Sequence, residues 1–120
     1  MDVAWRKGLA PEELTVEWTQ AVQKLFLEGT GEQYFAGSIQ SLPVPRWDGN
    51  LMLFDSVEET PQSMRGLLWT TPFKEDTVRI VSFVLDPGSR NKGWGSQAWD
   101  ILIESLAETQ YTTIQLEVRA

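Results

Sequence analysis

"VSFVLDPGSRNKGWGSQAWDILI", residues 81–103, runs from an apolar stretch through a glycine-rich corner into an amphipathic one. The apolar stretch belongs to "TVRIVSFVL" (77–85), where alternation puts Val78, Ile80 and Val84 on one side and Val81, Phe83 and Leu85 on the other. A strand that is apolar on both faces belongs in the middle of a sheet covered by helices. Downstream, Ala98, Trp99, Leu102, Ile103 and Leu106 share one stripe of a helix expected over about 95–109. Between strand and helix, three glycines and the basic residues Arg90 and Lys92 gather at one turn. The first N–H groups of a helix have no intrahelical partner, and the helix dipole is positive there. Glycines permit positive φ and let a ligand come close to the main chain. The corner is therefore expected to hold a phosphate or pyrophosphate, with Arg90 and Lys92 adding charge.

Two familiar phosphate loops do not fit. Gly88 to Gly93 has the spacing of a P-loop, but Trp94 and Gly95 stand where Lys-[Ser/Thr] is required. The dinucleotide pattern GxGxxG fails because Gly93 and Gly95 are followed by Ala98 and no acidic residue sits at the end of the next strand in the expected role. What remains is Arg90-x-x-Gly93-x-Gly95, a short pattern that an ordinary tight turn can also produce.

Working outward, "TTIQLEV" (112–118) alternates, with Ile114, Leu116 and Val118 inward and Gln115 and Glu117 outward. The unit 77–118 then reads as a right-handed parallel strand–helix–strand crossover. Before it, "LMLFDSV" (51–57) and "SMRGLLWTT" (63–71) flank "EETPQ" as a hairpin, and residues 2–6 carry a short first strand. Leu14, Trp18, Val22, Leu25 and Phe26 recur at helical spacing behind Pro11, and Gly29 reads as the stop. A shorter helix is expected around Tyr34, Phe35 and Ile39, and "LPVPRWDGN" (42–50) reads as loop. The fold class is α/β: an antiparallel meander joined to one parallel crossover in a mixed sheet, as a single domain over residues 1–120.

Composition narrows the chemistry. The 120 residues contain no cysteine and no histidine, which removes disulfides, Cys-His and Ser-His-Asp catalysis, and a zinc site; no metal is expected. A net charge of −7 argues against a nucleic-acid partner and favours a cationic one. The N-terminus "MDVAWRKGLAPEEL" lacks the apolar core of a signal peptide, and no stretch has the length of a membrane span. A soluble, cytoplasmic domain with no membrane partner is expected.

The stretch 81–103 resembles the acetyl-coenzyme A signature of the GNAT superfamily of N-acetyltransferases: an apolar strand, a proline, then [Arg/Gln]-x-x-Gly-x-[Gly/Ala] opening a helix. The meander before it and the strand "IQLEVRA" after it agree in order and spacing with that family. The resemblance implies acetyl-CoA as co-substrate and a primary amine as acceptor, attacking the thioester directly. It implies that the pyrophosphate lies on the amides of Asn91, Lys92, Gly93, Trp94, Gly95 and Ser96, with Arg90 nearby. It further implies that pantetheine pairs with the backbone of Phe83 and Leu85, and that the Leu85 N–H is the oxyanion donor. "LEVRA" is similar to the matching strand of ribosomal-protein N-terminal acetyltransferases, which implies Glu117 as general base and a protein N-terminus as acceptor.

The resemblance also implies a further helix and two strands, bearing an asparagine contact to the cofactor and a tyrosine acid, with no counterpart here. Tyr34 and Tyr111 are poor substitutes; a helix of about 14 residues puts Tyr111 roughly 20 Å from the corner. The chain is therefore expected to be a C-terminally truncated, N-terminal portion of such a domain. Its last strand would be an exposed edge through which a homodimer could pair. A non-catalytic coenzyme A-binding or regulatory module, and a scaffold with no coenzyme A affinity, are the competing readings. Of the six tryptophans, Trp18 and Trp99 are expected in the core, Trp94 beneath the glycine loop, and Trp47 as a loop anchor.

Overall fold

The computed structural model describes residues 3–9, 13–30 and 49–116. Its longest pairing is the hairpin of β3 (Met64–Lys74) and β4 (Thr77–Leu85), turned at Glu75 and Asp76. β-Branched and aromatic side chains favour that pleated, covered surface. β2 (Leu51–Phe54) pairs antiparallel with β3, and β1 (Ala4–Lys7) pairs antiparallel with β2. β5 (Thr113–Leu116) pairs parallel with β4, from Thr77↔Thr113 to Ile80↔Leu116. The sheet order is β1-β2-β3-β4-β5, so the expected meander and single parallel crossover are both present.

One helix covers each face. α1 (Val16–Thr30) lays Val22 and Leu25 on Met52, Phe54, Met64, Leu67, Trp69 and Val84. α2 (Trp94–Leu106) lays Ala98, Leu102 and Leu106 on the opposite face, against Leu51, Leu53, Leu68, Val78 and Ile80. β2 is buried throughout because its side chains alternate between these two clusters. Two indole N–H groups tie the layers. Trp5 donates to the Trp94 carbonyl at 2.7 Å, and Trp69 donates to the Leu9 carbonyl at 3.0 Å.

Strict alternation along β4 does not survive. Trp69 opposes Ser82 and Thr70 opposes Ile80, so Val81 is an extra residue on β4, a bulge with two residues facing one. The side chains change phase there. Val78 and Ile80 pack under α2, whereas Val81 and Val84 pack under α1 and Leu85 lies on the α2 side. The grouping of Val84 with Val78 and Ile80 is thus corrected by one inserted residue.

Other boundaries move less. α1 begins at Val16 rather than near Pro11, and α2 ends at Leu106. Trp99 is 38% exposed and Ile103 45% exposed, so the apolar stripe of α2 is wider than the sheet covers, and Trp99 is not core. On β5, Ile114 reaches the α2-side cluster, but Leu116 is exposed. The helix expected around Tyr34, Phe35 and Ile39, and the Trp47 loop, lie outside the described residues. Among the described residues, no helix is long and apolar enough to cross a membrane, and no three acidic, histidine or cysteine side chains could hold a metal.

Candidate functional site

The glycine corner begins where β4 stops. Asp86 Oδ1 accepts the Gly88 N–H at 2.8 Å, and the Asp86 carbonyl accepts the Ser89 N–H at 2.9 Å. With Pro87 opening it, this single 3₁₀ turn (Pro87–Ser89) swings the chain off the sheet. Two left-handed residues follow, Asn91 at φ 60° and Gly93 at φ 80°. Asn is one of the few side chains that tolerate that region, and glycine enters it without cost. Gly93 is the N-cap of α2 and has no side chain to cap it.

The first helical bond of α2 runs from the Gln97 N–H to the Gly93 carbonyl at 3.0 Å. The amides of Trp94, Gly95 and Ser96 therefore have no intrahelical acceptor and point out of the helix start. No acidic side chain sits in the first turn to neutralise that positive end.

The end of β4 presents a second set of main-chain groups. The Asp86 N–H bonds to the Arg65 carbonyl of β3 at 2.7 Å. Polar groups along a strand alternate between its two edges, so those of Val84 also face β3 while those of Phe83 and Leu85 face away. The surroundings agree: the Val84 carbonyl lies beside Gly66 of β3, and the Leu85 carbonyl lies beside Gly29 at the end of α1. The described pairing with β5 has ended at Ile80. Phe83 and Leu85 thus turn donors and acceptors toward a cleft.

That cleft has a volume of about 520 Å³, within the range of small-molecule and cofactor sites. Seven of the nine predicted cofactor positions line it: Phe83, Leu85, Arg90, Asn91, Gly93, Gly95 and Ser96. Gly95 suits its place, since a Cβ there would stand 3.7 Å from Leu85 and 3.8 Å from Phe83, filling part of the opening. Phe83 is 36% exposed and sets its ring edge-on to Trp5, with centroids 6.3 Å apart.

The other two positions stand apart from the lining. Lys92 is exposed and is not among the lining residues. Trp94 packs its ring against the cluster under α2, beneath the loop, with its carbonyl engaged by Trp5. Glu117 lies outside the described residues.

Gly29 is a lining residue that the sequence reading takes only as a helix stop. α1 does end beside it, at Thr30. The role of Gly29 is close approach: a Cβ would stand 2.6 Å from Val84 Cγ1 and 2.9 Å from the Leu85 carbonyl oxygen. The signal was present as a glycine in the last turn, but propensity alone cannot tell a C-terminal stop from a close crossing.

Comparison with known proteins places this geometry. Residues 20–120 match the model of the acetyltransferase (GNAT) family. Among curated protein sequences, none matches the chain significantly. Among solved structures, the ribosomal-protein-S18-alanine N-acetyltransferase of Escherichia coli superposes with a TM-score of 0.73 at 18% identity, over 98% of this chain and 68% of that one. Ard1 of Thermoplasma volcanium gives 0.74 at 19% identity, over 99% and 73%. A chain of the NatC complex bound to Gag peptide and CoA gives 0.72 at 17% identity, over 98% and 75%. The chain belongs to the acetyltransferase (GNAT) family, a family of acyltransferases.

Proposed function

We propose that the cleft binds acetyl-coenzyme A and that the protein transfers the acetyl group to a primary amine, with a protein N-terminus as the leading acceptor class. One observation carries the reading: the outward edge of Phe83 and Leu85 meets the free amides at the start of α2 in a single cleft. An extended pantetheine arm suits the first, by the logic of strand addition. A pyrophosphate suits the second. The presence of a CoA-bound complex among the structural neighbours supports the same ligand.

In the proposed reaction the amine nitrogen forms a bond to the thioester carbonyl carbon, the C–S bond breaks, and the thiolate leaves with the electron pair. The Leu85 N–H donates to the carbonyl oxygen as negative charge collects on it, a contact typically worth about 3 kcal/mol in the transition state. The ammonium form of the acceptor cannot attack, so a base must take its proton. The resemblance of "LEVRA" supports Glu117 for that task. A positively charged N-terminus also suits a chain of net charge −7. The S18-alanine N-acetyltransferase among the neighbours supports the protein acceptor.

The test is isothermal titration with acetyl-CoA, using Gly93→Asp as control, followed by turnover on two peptides. One carries a free N-terminus, and the other is Nα-blocked with a free lysine. Micromolar binding that Gly93→Asp abolishes, with turnover of the free N-terminus only, is the expected result. Binding without turnover of either peptide would leave a coenzyme A-binding module. No binding by a folded sample would overturn the cofactor reading.

A further inference from the structure

Arg90 opens the Arg-x-x-Gly-x-Gly pattern and, by sequence alone, belongs to the phosphate. Its guanidinium is directed elsewhere. It donates to the carbonyl of Gly29, in the last turn of α1 and 61 residues away in sequence. The same nitrogen lies 3.7 Å from where a Gly29 Cβ would stand, and both residues line the cleft.

The last carbonyls of a helix have no intrahelical donor, and the helix dipole is negative there. α1 has no basic residue of its own in its last turn. A cation from the facing loop supplies what that end lacks, in the manner of a basic C-cap. The position matters because Gly29 is also the point at which α1 crosses β4, against Val84 and the Leu85 carbonyl. The wall of the cleft beside Leu85 is thus made by α1, and Arg90 holds that wall from the opposite rim.

We propose that Arg90 is a positioning residue: it caps the C-terminal end of α1 through the Gly29 carbonyl and so sets the width of the cleft beside the Leu85 backbone. This deepens the acetyl-CoA reading and rests on it for its effect on ligand, although the cap itself exists without ligand. Arg90 then serves the pantetheine end of the site through α1, while the amides of α2 serve the pyrophosphate.

Two measurements on the 120-residue chain separate this role from a phosphate contact. The first is amide hydrogen exchange of the ligand-free protein. Arg90→Ala is expected to speed exchange in the last turn of α1 about tenfold while leaving the β3–β4 hairpin unchanged, and Arg90→Lys to restore most of the protection. The second is affinity for acetyl-CoA and for S-acetylpantetheine, which lacks the pyrophosphate. Arg90→Ala is expected to weaken both by the same factor, about tenfold. Unchanged exchange in Arg90→Ala would overturn the cap. A loss confined to acetyl-CoA would overturn the positioning role and return Arg90 to the phosphate. If the unsubstituted protein bound neither ligand, the acetyl-CoA reading would fall, and the exchange measurement would still decide the cap.

Discussion

β4 is two strands in one. From Thr77 to Ile80 it is paired on both edges, with β3 and β5, and its buried side chains pack under α2. From Ser82 to Leu85 it is paired with β3, while its other edge carries the polar groups of Phe83 and Leu85 into the cleft. Nine consecutive residues of similar composition therefore do different work. The first half satisfies its backbone within the sheet. The second half, among the described residues, is paired on one edge only, and Val81 marks the change because a bulge alters both phase and twist.

Inserting one alanine between Ser82 and Phe83 attacks the difference most directly and has the largest expected effect. A one-residue slip exchanges the faces of every side chain beyond it, sending Val84 to the α2 side and Leu85 to the α1 side. Loss of the cooperative melt by circular dichroism is the expected outcome. A lengthened chain that melts like the original and still binds acetyl-CoA would show that the two halves are not distinct.

A pair of substitutions sharpens the contrast. Ile80 is 5% exposed and Phe83 36% exposed. Ile80→Ala is expected to cost about 2–4 kcal/mol in a urea melt, as the removal of a fully packed aliphatic side chain does. Phe83→Ala should cost about 1 kcal/mol, mostly its edge contact with Trp5, and should weaken acetyl-CoA in titration more than Ile80→Ala does. Equal stability losses, or equal affinities, would erase the distinction.

Two of the three glycines of the corner, Gly93 and Gly95, give the smaller effects, of opposite sign. Gly93→Ala forces a Cβ into φ 80°, at a cost of about 1–2 kcal/mol in stability. Gly95 has ordinary contact distances around its missing Cβ, so Gly95→Ala is expected to stabilise α2 by about 0.5 kcal/mol. Thermal melts of the two variants check both signs. A destabilising Gly95→Ala would mean that the start of α2 is under a constraint that the contact distances do not show.

The legible part of this fold is periodic. The double-faced apolarity of "TVRIVSFVL", the helical stripe of 98–106 and the glycine turn between them were enough to place the sheet, the crossover and the corner. What escaped were events that break a period or depend on distant packing. A bulge adds one residue without changing composition, so strict alternation groups Val84 with the wrong face. The stripe of α2 says which residues are apolar but not how much sheet lies beneath them, and Trp99 and Ile103 remain partly exposed. Gly29 and the Arg90 guanidinium meet across 61 residues, and no local pattern encodes that meeting. Within the site, the backbone donors were readable because glycine spacing reports the main chain directly. The wall opposite them was not, because it is made by another helix.

The hydrogen bond from the Trp5 indole to the Trp94 carbonyl spans 89 residues. It closes a loop over most of these 120 residues, and β1 has no sheet neighbour until β2, 44 residues after Lys7, is in place. Contacts of such separation form late, since the entropy of closing the loop comes before the reward. The start of α2 is consequently fastened by the opening residues of the chain. In a folding experiment, competence to bind at the corner should appear with the last docking event, after the β3–β4 hairpin, which needs only a two-residue turn.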